Sequence, residues 1–349
     1  SPPPTEIYTV YKSSAASDVY KRQAGDLMIV PDPSAEVHVD FRDGSAPEHF
    51  FLGDVRNTDG SPWECCVRAF LRRAIDTLSE ACGLELLAAF EQEFVYTGIE
   101  DAPGHAYSLS AFRRQGIFGE MLMAAIRAAS IHPDSFLAEY GSRQYELTVA
   151  PDAALAAADA AVISREMARG AAFRLENRAI FSPMPVADGA GNGVHIHFSL
   201  HNASGKPETS DPTGPLGLST GAARFAAGVL HHLPALCAVT APSPVSYLRL
   251  APNRWAPTVA DLKLQDRGAA LRVCPVFEAG GEESCQAQFN LEFRVCDAAA
   301  SPYMALGALL FAGADGVARQ MELPETETAL PTSLGAALDL MDASAAMKT

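Results

Sequence analysis

Apolar and polar positions along this chain follow two rhythms. Near the start, LMIVPDP (27–33) and AEVHVDF (35–41) read as two short strands, the second by its strict alternation, and Asp59-Gly60 marks a turn. From Ser61 the period lengthens: Val67, Phe70, Leu71, Ala74, Ile75 and Leu78 recur at helical spacing. Gly83 offers that helix a stop, and Pro62 suits its first turn. LELLAAFEQEFVY (84–96) reads as a buried strand, 107–131 as one helix, 144–149 as a strand and 152–174 as an alanine-rich helix. A strand at 194–200 follows Gly189, Gly191 and Gly193; then come a helix at 220–236, strands at 269–273 and 290–296, and a helix at 302–321. Strands and helices alternate without an internal repeat, which predicts a layered α/β or α+β fold with helices packed on a sheet.

Composition narrows the function. The 349 residues suffice for one large domain and a small one, and 48% hydrophobic content suits a filled core rather than disorder. A net charge of −16, with no run of Lys or Arg, argues against nucleic-acid binding. Met304–Ala314, the longest uninterrupted apolar stretch, is too short to span a bilayer, so no membrane partner is expected. The seven cysteines show no zinc-type spacing and read as cytosolic thiols; with no signal peptide in view, the cytoplasm is the expected address. No Walker A motif and no G-x-G-x-x-G after a strand is present. YTVYKSSAASDVYKRQ (8–23) resembles a translated adaptor, so residues 1–23 are set aside as a non-native leader, with native sequence expected from near Ala24.

Candidate chemistry lies in polar pairs two residues apart inside apolar strands, where both side chains share a face. Glu91 and Glu93 project together from FEQEF. Two adjacent carboxylates repel and resist desolvation, so they need either a cation or water. His195 and His197 form a second pair in GNGVHIHFSL, and Glu292 and Arg294 a third in NLEFRVCD. Glu139 and Glu146 bracket a Gly-containing turn, while Arg249, Arg267 and Arg272 sit near strands. Taken singly, each admits a plainer explanation: a solvated strand edge, a hydrogen-bonded core histidine, a cross-face ion pair, surface arginines. Taken together, five carboxylates and one or two imidazoles make an oxygen-rich set suited to Mg²⁺ or Mn²⁺. The arginines add bidentate donors for carboxylate and phosphate, which is the equipment phosphoryl transfer requires.

These segments, in this order, resemble the glutamine synthetase superfamily: FEQEF its E-x-E strand, AEYGSRQYELTVAP its paired acids, GNGVHIHFSL its glycine loop with H-x-H, SYLRLAPNRWAP and QDRGAALRV its arginine region, NLEFRVCD its E-x-R strand. The resemblance runs from about Ala24 to Leu340. It implies an α+β fold in which part of a β-grasp domain (24–60) precedes a catalytic domain (61–349) with a curved antiparallel sheet backed by helices. Both ends are expected to fall short of the family's full length. It implies that Glu93, Glu139 and Glu146 hold the metal on the glutamate side, and Glu91, His195 and Glu292 the metal on the ATP phosphates. His197 and Ser199 would lie beside the nucleotide. Gly191 and Arg249 would contact glutamate, Arg267 and Arg272 the phosphates, and Arg294 the glutamate or the transferring phosphoryl group. The implied chemistry is ATP-dependent joining of glutamate's γ-carboxylate to an amine through γ-glutamyl phosphate, in a ring-shaped homo-oligomer.

One departure shifts the substrate. Six residues after Arg249, where ammonia-using members carry a flap glutamate, stands Trp255. An indole offers an apolar face and cation–π attraction instead of a carboxylate, so the expected acceptor is a larger amine or polyamine. The alternatives are ordinary glutamine synthetase and a catalytically silent relative with a regulatory or structural role.

Overall fold

A computed structural model describes residues 26–100 and 106–344; the predicted leader lies outside them. Nine strands longer than two residues are present in the described chain: β1 Leu27–Val39, β2 Glu48–Asn57, β3 Leu84–Tyr96, β4 Pro133–Ala138, β5 Gln144–Val149, β6 Val194–Asn202, β7 Leu262–Leu264, β8 Leu271–Val273 and β9 Leu291–Phe293. The helices are α1 Val67–Cys82, α2 Leu109–Arg113, α3 Ile117–Ala128, α4 Ala154–Arg174, α5 Thr220–Thr240, α6 Ser246–Arg249, α7 Glu282–Gln288, α8 Pro302–Ala318 and α9 Leu334–Ala343.

Seven of these strands form the main path of a nine-stranded sheet, in the order β7-β8-β9-β6-β3-β5-β4, and two-residue strands at 152–153 and 179–180 also pair with β3. Every pairing on that path is antiparallel except β7 with β8 at the edge. Alternation assigns the two faces. Phe90, Phe94, Ile196, Phe198, Leu291 and Phe293 turn to one side, where they are at most 1% exposed, and helices cover them. Burying each such side chain is worth about 1.5–3 kcal/mol. Glu91, Glu93, Glu146, His195, His197 and Glu292 alternate to the other side. The fold is therefore α+β, a sheet backed by helices, as the sequence predicts.

The helical layer closes on glycine. A Cβ at Gly228 of α5 would lie 2.2 Å from Ala312 O of α8, so those two backbones touch only because the side chain is absent. α1 ends where Gly83 turns left-handed (φ 64°) and returns its N–H to Ser79 O, the stop expected from sequence.

Several expectations are corrected. The two strands at 27–33 and 35–41 are one strand, β1, bent by a register shift between Pro31 and Glu36 and paired with the unanticipated β2. Pro62 lies outside α1 and bridges Arg56 instead. The helix expected over 107–131 breaks into α2 and α3 at Gly116, whose φ of 60° no helix accommodates. The described helix with the length and composition to cross a membrane is α5, not the stretch Met304–Ala314. Its apolar surface is spent inside the protein, with Phe225, Val229, Leu233 and Leu236 fully buried against the core.

The β1–β2 hairpin is fastened to this body by charge. Arg68 of α1, 2% exposed, forks onto Asp159 of α4 at 3.0 and 2.8 Å, then reaches Asp54 on β2 at 3.1 Å and Asp32 on β1 at 2.8 Å. Tyr303 of α8 donates its hydroxyl to the same Asp159 at 2.6 Å.

Candidate active site

The polar face of the sheet gathers its residues by register. Antiparallel partners point the same way, and here Arg272 pairs with Glu292, Glu292 with His197, Glu91 with His195, and Glu93 with Glu146. Five adjacent strands, β8-β9-β6-β3-β5, thus lay one continuous row of charged groups across the sheet. Glu139 follows β4 at the row's far end.

At one end the charges are matched. Glu292 is fully buried and accepts from Arg272 Nη1 at 2.6 Å and from Arg294 Nη1. Glu91 receives His195 Nδ1 and His197 Nε2, each at 3.0 Å. Burial alone would raise the Glu91 carboxyl, but the two imidazoles hold it well below the usual carboxylate range. Burial likewise opposes a charged His197, yet Cys274 and Glu91 hold that ring well above its ordinary value. His195 goes the other way, lowered by burial and by Arg294. Within this trio the surroundings favour the charged form of His197 and the neutral form of His195.

At the other end charge is uncompensated. Burial pushes the Glu93 carboxyl up to about 7, with Glu139 and Glu91 adding repulsion against a hydrogen bond from Gly193 N–H. Burial, then the negative charge of Glu91, Glu93, Glu139 and Glu292, pushes Glu146 up to about 9. Glu139 is raised for the same first reason. Carboxyls at register positions with pKa values forced upward constitute a place that a dication would stabilise. Donor spacing agrees. One atom each from Glu91, His195 and Glu292 lies within 4.8 Å of the others, and so does one each from Glu93, Glu146 and His195. The oxygen-rich set suits Mg²⁺ or Mn²⁺.

The glycine loop earns its composition. A Cβ at Gly193 would stand 2.8 Å from His195 Nε2, and one at Gly191 2.7 Å from Arg249 Cγ. Arg249 itself is 3% exposed and donates to the backbone carbonyls of Arg294, Val295 and Cys296, the shortest bond being 2.8 Å to Cys296 O. In this structure its guanidinium fixes the strand carrying Arg294, rather than standing open for glutamate. Ser199 shares the His195–His197 face and hydrogen-bonds His201 at 2.9 Å. Arg267 lies on an exposed turn, near enough for its charge to favour the ionised form of Glu139.

Trp255 closes the Glu139 end. Its indole, 72% exposed, sits 4.9 Å from the Tyr140 ring, which meets Tyr107 edge-on at 5.5 Å. Tyr107 donates its hydroxyl to Glu139 at 3.1 Å. Sequence reasoning missed both tyrosines, and also Gln144, whose buried amide Nε2 reaches Gly191 O and Asn192 Oδ1 at 2.8 Å and Glu93 Oε2 at 3.2 Å. Gln144 was detectable: it stands two residues before Glu146 on the same strand face.

A helix-backed antiparallel sheet with histidines and arginines amid clustered carboxylates is equipment suited to phosphoryl transfer assisted by divalent ions. The glutamine synthetase catalytic domain matches residues 64–349. The gamma-glutamylpolyamine synthetase GlnA3 of Streptomyces coelicolor is 34% identical over 341 residues, 95% of this chain and 71% of that protein. The glutamine synthetase of Pyrococcus horikoshii is 31% identical over 305 residues, 85% of this chain and 65% of that one, so the chain spans just under two-thirds of that relative. Among solved structures, a glutamine synthase homologue superposes with a TM-score of 0.88 at 42% identity, covering 93% of this chain and 77% of that one. A GmaS/ADP complex gives 0.81 at 25%, covering 93% and 78%. The chain belongs to the glutamine synthetase family, whose members are ATP-dependent ligases that form carbon–nitrogen bonds.

Proposed function

We propose that this protein joins the γ-carboxylate of glutamate to an amine other than ammonia, with ATP as co-substrate. The observation that carries the reading is the aromatic wall of Trp255, Tyr140 and Tyr107 at the Glu139 end of the carboxylate row. Ring faces attract an ammonium group at about 0.5–2 kcal/mol each and accept the methylenes behind it, whereas free ammonia has no methylenes to bury. The S. coelicolor relative, named for polyamine ligation, supports the same choice. Ordinary glutamine synthetase is favoured by the P. horikoshii relative.

In this reading Glu93, Glu139 and Glu146 hold the divalent ion beside glutamate, and Glu91, His195 and Glu292 the ion beside the phosphates. Bound Mg²⁺ or Mn²⁺ would neutralise phosphate charge and polarise the phosphoryl oxygens. Glutamate's carboxylate oxygen attacks the terminal phosphorus of ATP and ADP leaves. The amine nitrogen then attacks the acyl carbon of γ-glutamyl phosphate, and phosphate departs. Arg272 would contact the phosphates and Arg294 the glutamate or the transferring phosphoryl group, with Arg267 entering from its exposed turn and His197 and Ser199 beside the nucleotide. Gly191 would contact glutamate through its backbone, and Arg249 keeps the Arg294 segment in place. The reading also carries a β-grasp contribution from residues 24–60, a catalytic domain over 61–349, homo-oligomeric assembly and a cytoplasmic location.

Phosphate release from ATP and glutamate, measured across ammonia, methylamine, ethanolamine, putrescine and spermine, tests the proposal. Turnover with at least one organic amine well above that with ammonia is expected. Turnover confined to ammonia would establish the ordinary synthetase instead.

A further inference from the structure

Cys274 lies at the matched end of the row, one residue past the end of β8, and its thiol is buried beside two groups already placed in the site. Its Sγ stands 3.6 Å from His197 Nδ1 and 4.0 Å from a Glu292 carboxylate oxygen. One donor atom from each of the three lies within 4.8 Å of the others. A tetrahedral ion with a sulfur ligand near 2.3 Å and a nitrogen ligand near 2.05 Å separates those two donors by about 3.6 Å. His197 Nδ1 donates to Asn290 Oδ1 at 2.9 Å and also looks toward the thiol, so a metal bound there takes the place of that hydrogen bond. The opposite nitrogen, Nε2, looks toward Glu91. The ring therefore has one edge toward the carboxylate row and one toward sulfur.

We propose that Cys274, His197 and Glu292 form a site for a thiophilic divalent cation of the Zn²⁺ type, which shares Glu292 with the oxygen-ligated position on the phosphate side and is antagonistic to it. On binding, the Cys274 thiol and His197 Nδ1 each give a proton to solvent, Nδ1 exchanges its hydrogen bond to Asn290 for the metal, and metal–sulfur and metal–nitrogen bonds form with no change of oxidation state. Glu292 need not release Arg272, because each carboxylate oxygen has a second lone pair. A hard ion such as Mg²⁺ gains little from sulfur, while a softer one gains most, so the thiol selects between them. Occupation takes His197 and Glu292 out of the row. The inhibitory consequence rests on the ligase reading; the binding itself does not.

Co²⁺ titrated into the metal-free protein reports on sulfur ligation directly, through thiolate-to-metal charge-transfer absorption in the near ultraviolet. The wild type is expected to develop that band at one equivalent, with excess Mg²⁺ present. C274S, and the apolar C274V as a second variant, should lose the band and weaken Zn²⁺ binding by about tenfold or more, whereas C285S should keep both. No band in the wild type, or an undiminished band in both Cys274 variants, overturns the site. Zn²⁺ should suppress Mg²⁺-supported phosphate release at concentrations about tenfold lower in the wild type than in C274S; equal sensitivity overturns the antagonism. Should no amine support turnover, the ligase reading fails while the absorption band still decides the site.

Discussion

Glu93 and Glu146 are register partners on neighbouring strands, β3 and β5, and both carboxyls are held above their ordinary range, at about 7 and about 9. A carboxyl whose folded value exceeds its unfolded value of about 4.3 binds more protons in the native state, so stability is full below that value and falls as pH rises through the folded one. The raised His197 acts in the same direction and the lowered His195 against it. The metal-free protein should therefore lose Tm steadily from about pH 5 to 9. Saturating Mn²⁺ should flatten or reverse that fall, because ligation strengthens as carboxyls deprotonate. Thermal melts with chelator and with Mn²⁺ check this; a metal-free Tm that climbs across the range would contradict it.

The glycine loop makes a narrower prediction. A methyl at Gly191 would press on Arg249 Cγ at 2.7 Å and on Pro183 O at 3.0 Å. Gly191→Ala should cost about 1–3 kcal/mol through overpacking. Gly221→Ala, inside α5 with nothing closer than 3.9 Å, should be neutral or stabilising by up to about 1 kcal/mol on helix propensity alone. Urea melts of the two variants side by side separate the effects, and equal midpoints would remove the loop argument.

Much of the site was legible because strand alternation is rigid. Glu91 and Glu93, His195 and His197, and Glu292 and Arg294 could be paired from spacing two apart, and β3 and β5 have the predicted limits. What stayed hidden depends on partners distant in sequence. β2 carries a glycine and several charges and pairs only with β1 outside the main sheet, so no buried alternation betrays it. β4 opens on Pro133 and its pairing slips between Pro133 and Ser135, which spoils the period. The meeting of Trp255 with Tyr140 joins two loops more than a hundred residues apart, and the turn of Arg249 onto backbone carbonyls follows from the path of the 294–296 segment. Neither is written in local pattern.

The Arg68 cluster predicts how the hairpin is held. Arg68→Met keeps the packed stem but leaves buried Asp159 without its cation and Asp32 and Asp54 with Arg72 alone, at 2.8 and 3.4 Å. Removing one partner of a buried ion pair costs about 3–5 kcal/mol. The loss should appear first as protease sensitivity and fast hydrogen exchange in 27–57, ahead of the main sheet. Uniform destabilisation with no preferential opening of 27–57 would show that Arg68 serves the core rather than the hairpin.

Trp255 supplies the specificity prediction. Its backbone is left-handed (φ 52°) and its indole is largely exposed, so little core packing depends on it and Trp255→Glu should fold normally. The substitution exchanges an aromatic face for a carboxylate about one residue's reach from Tyr140 and Glu139. A carboxylate favours a small ammonium and can receive its proton, while the methylenes of a larger amine lose the surface that covered them. One extra or missing apolar contact is worth about 1–3 kcal/mol in discrimination, so the ratio of kcat/KM for the preferred organic amine over ammonia should fall by about 10- to 200-fold. Trp255→Phe keeps a ring and should retain most of the ratio. If glutamate and phenylalanine at this position leave amine preference equally unchanged, the aromatic wall has no part in choosing the acceptor, and the choice must lie with Tyr107 and Glu139 alone.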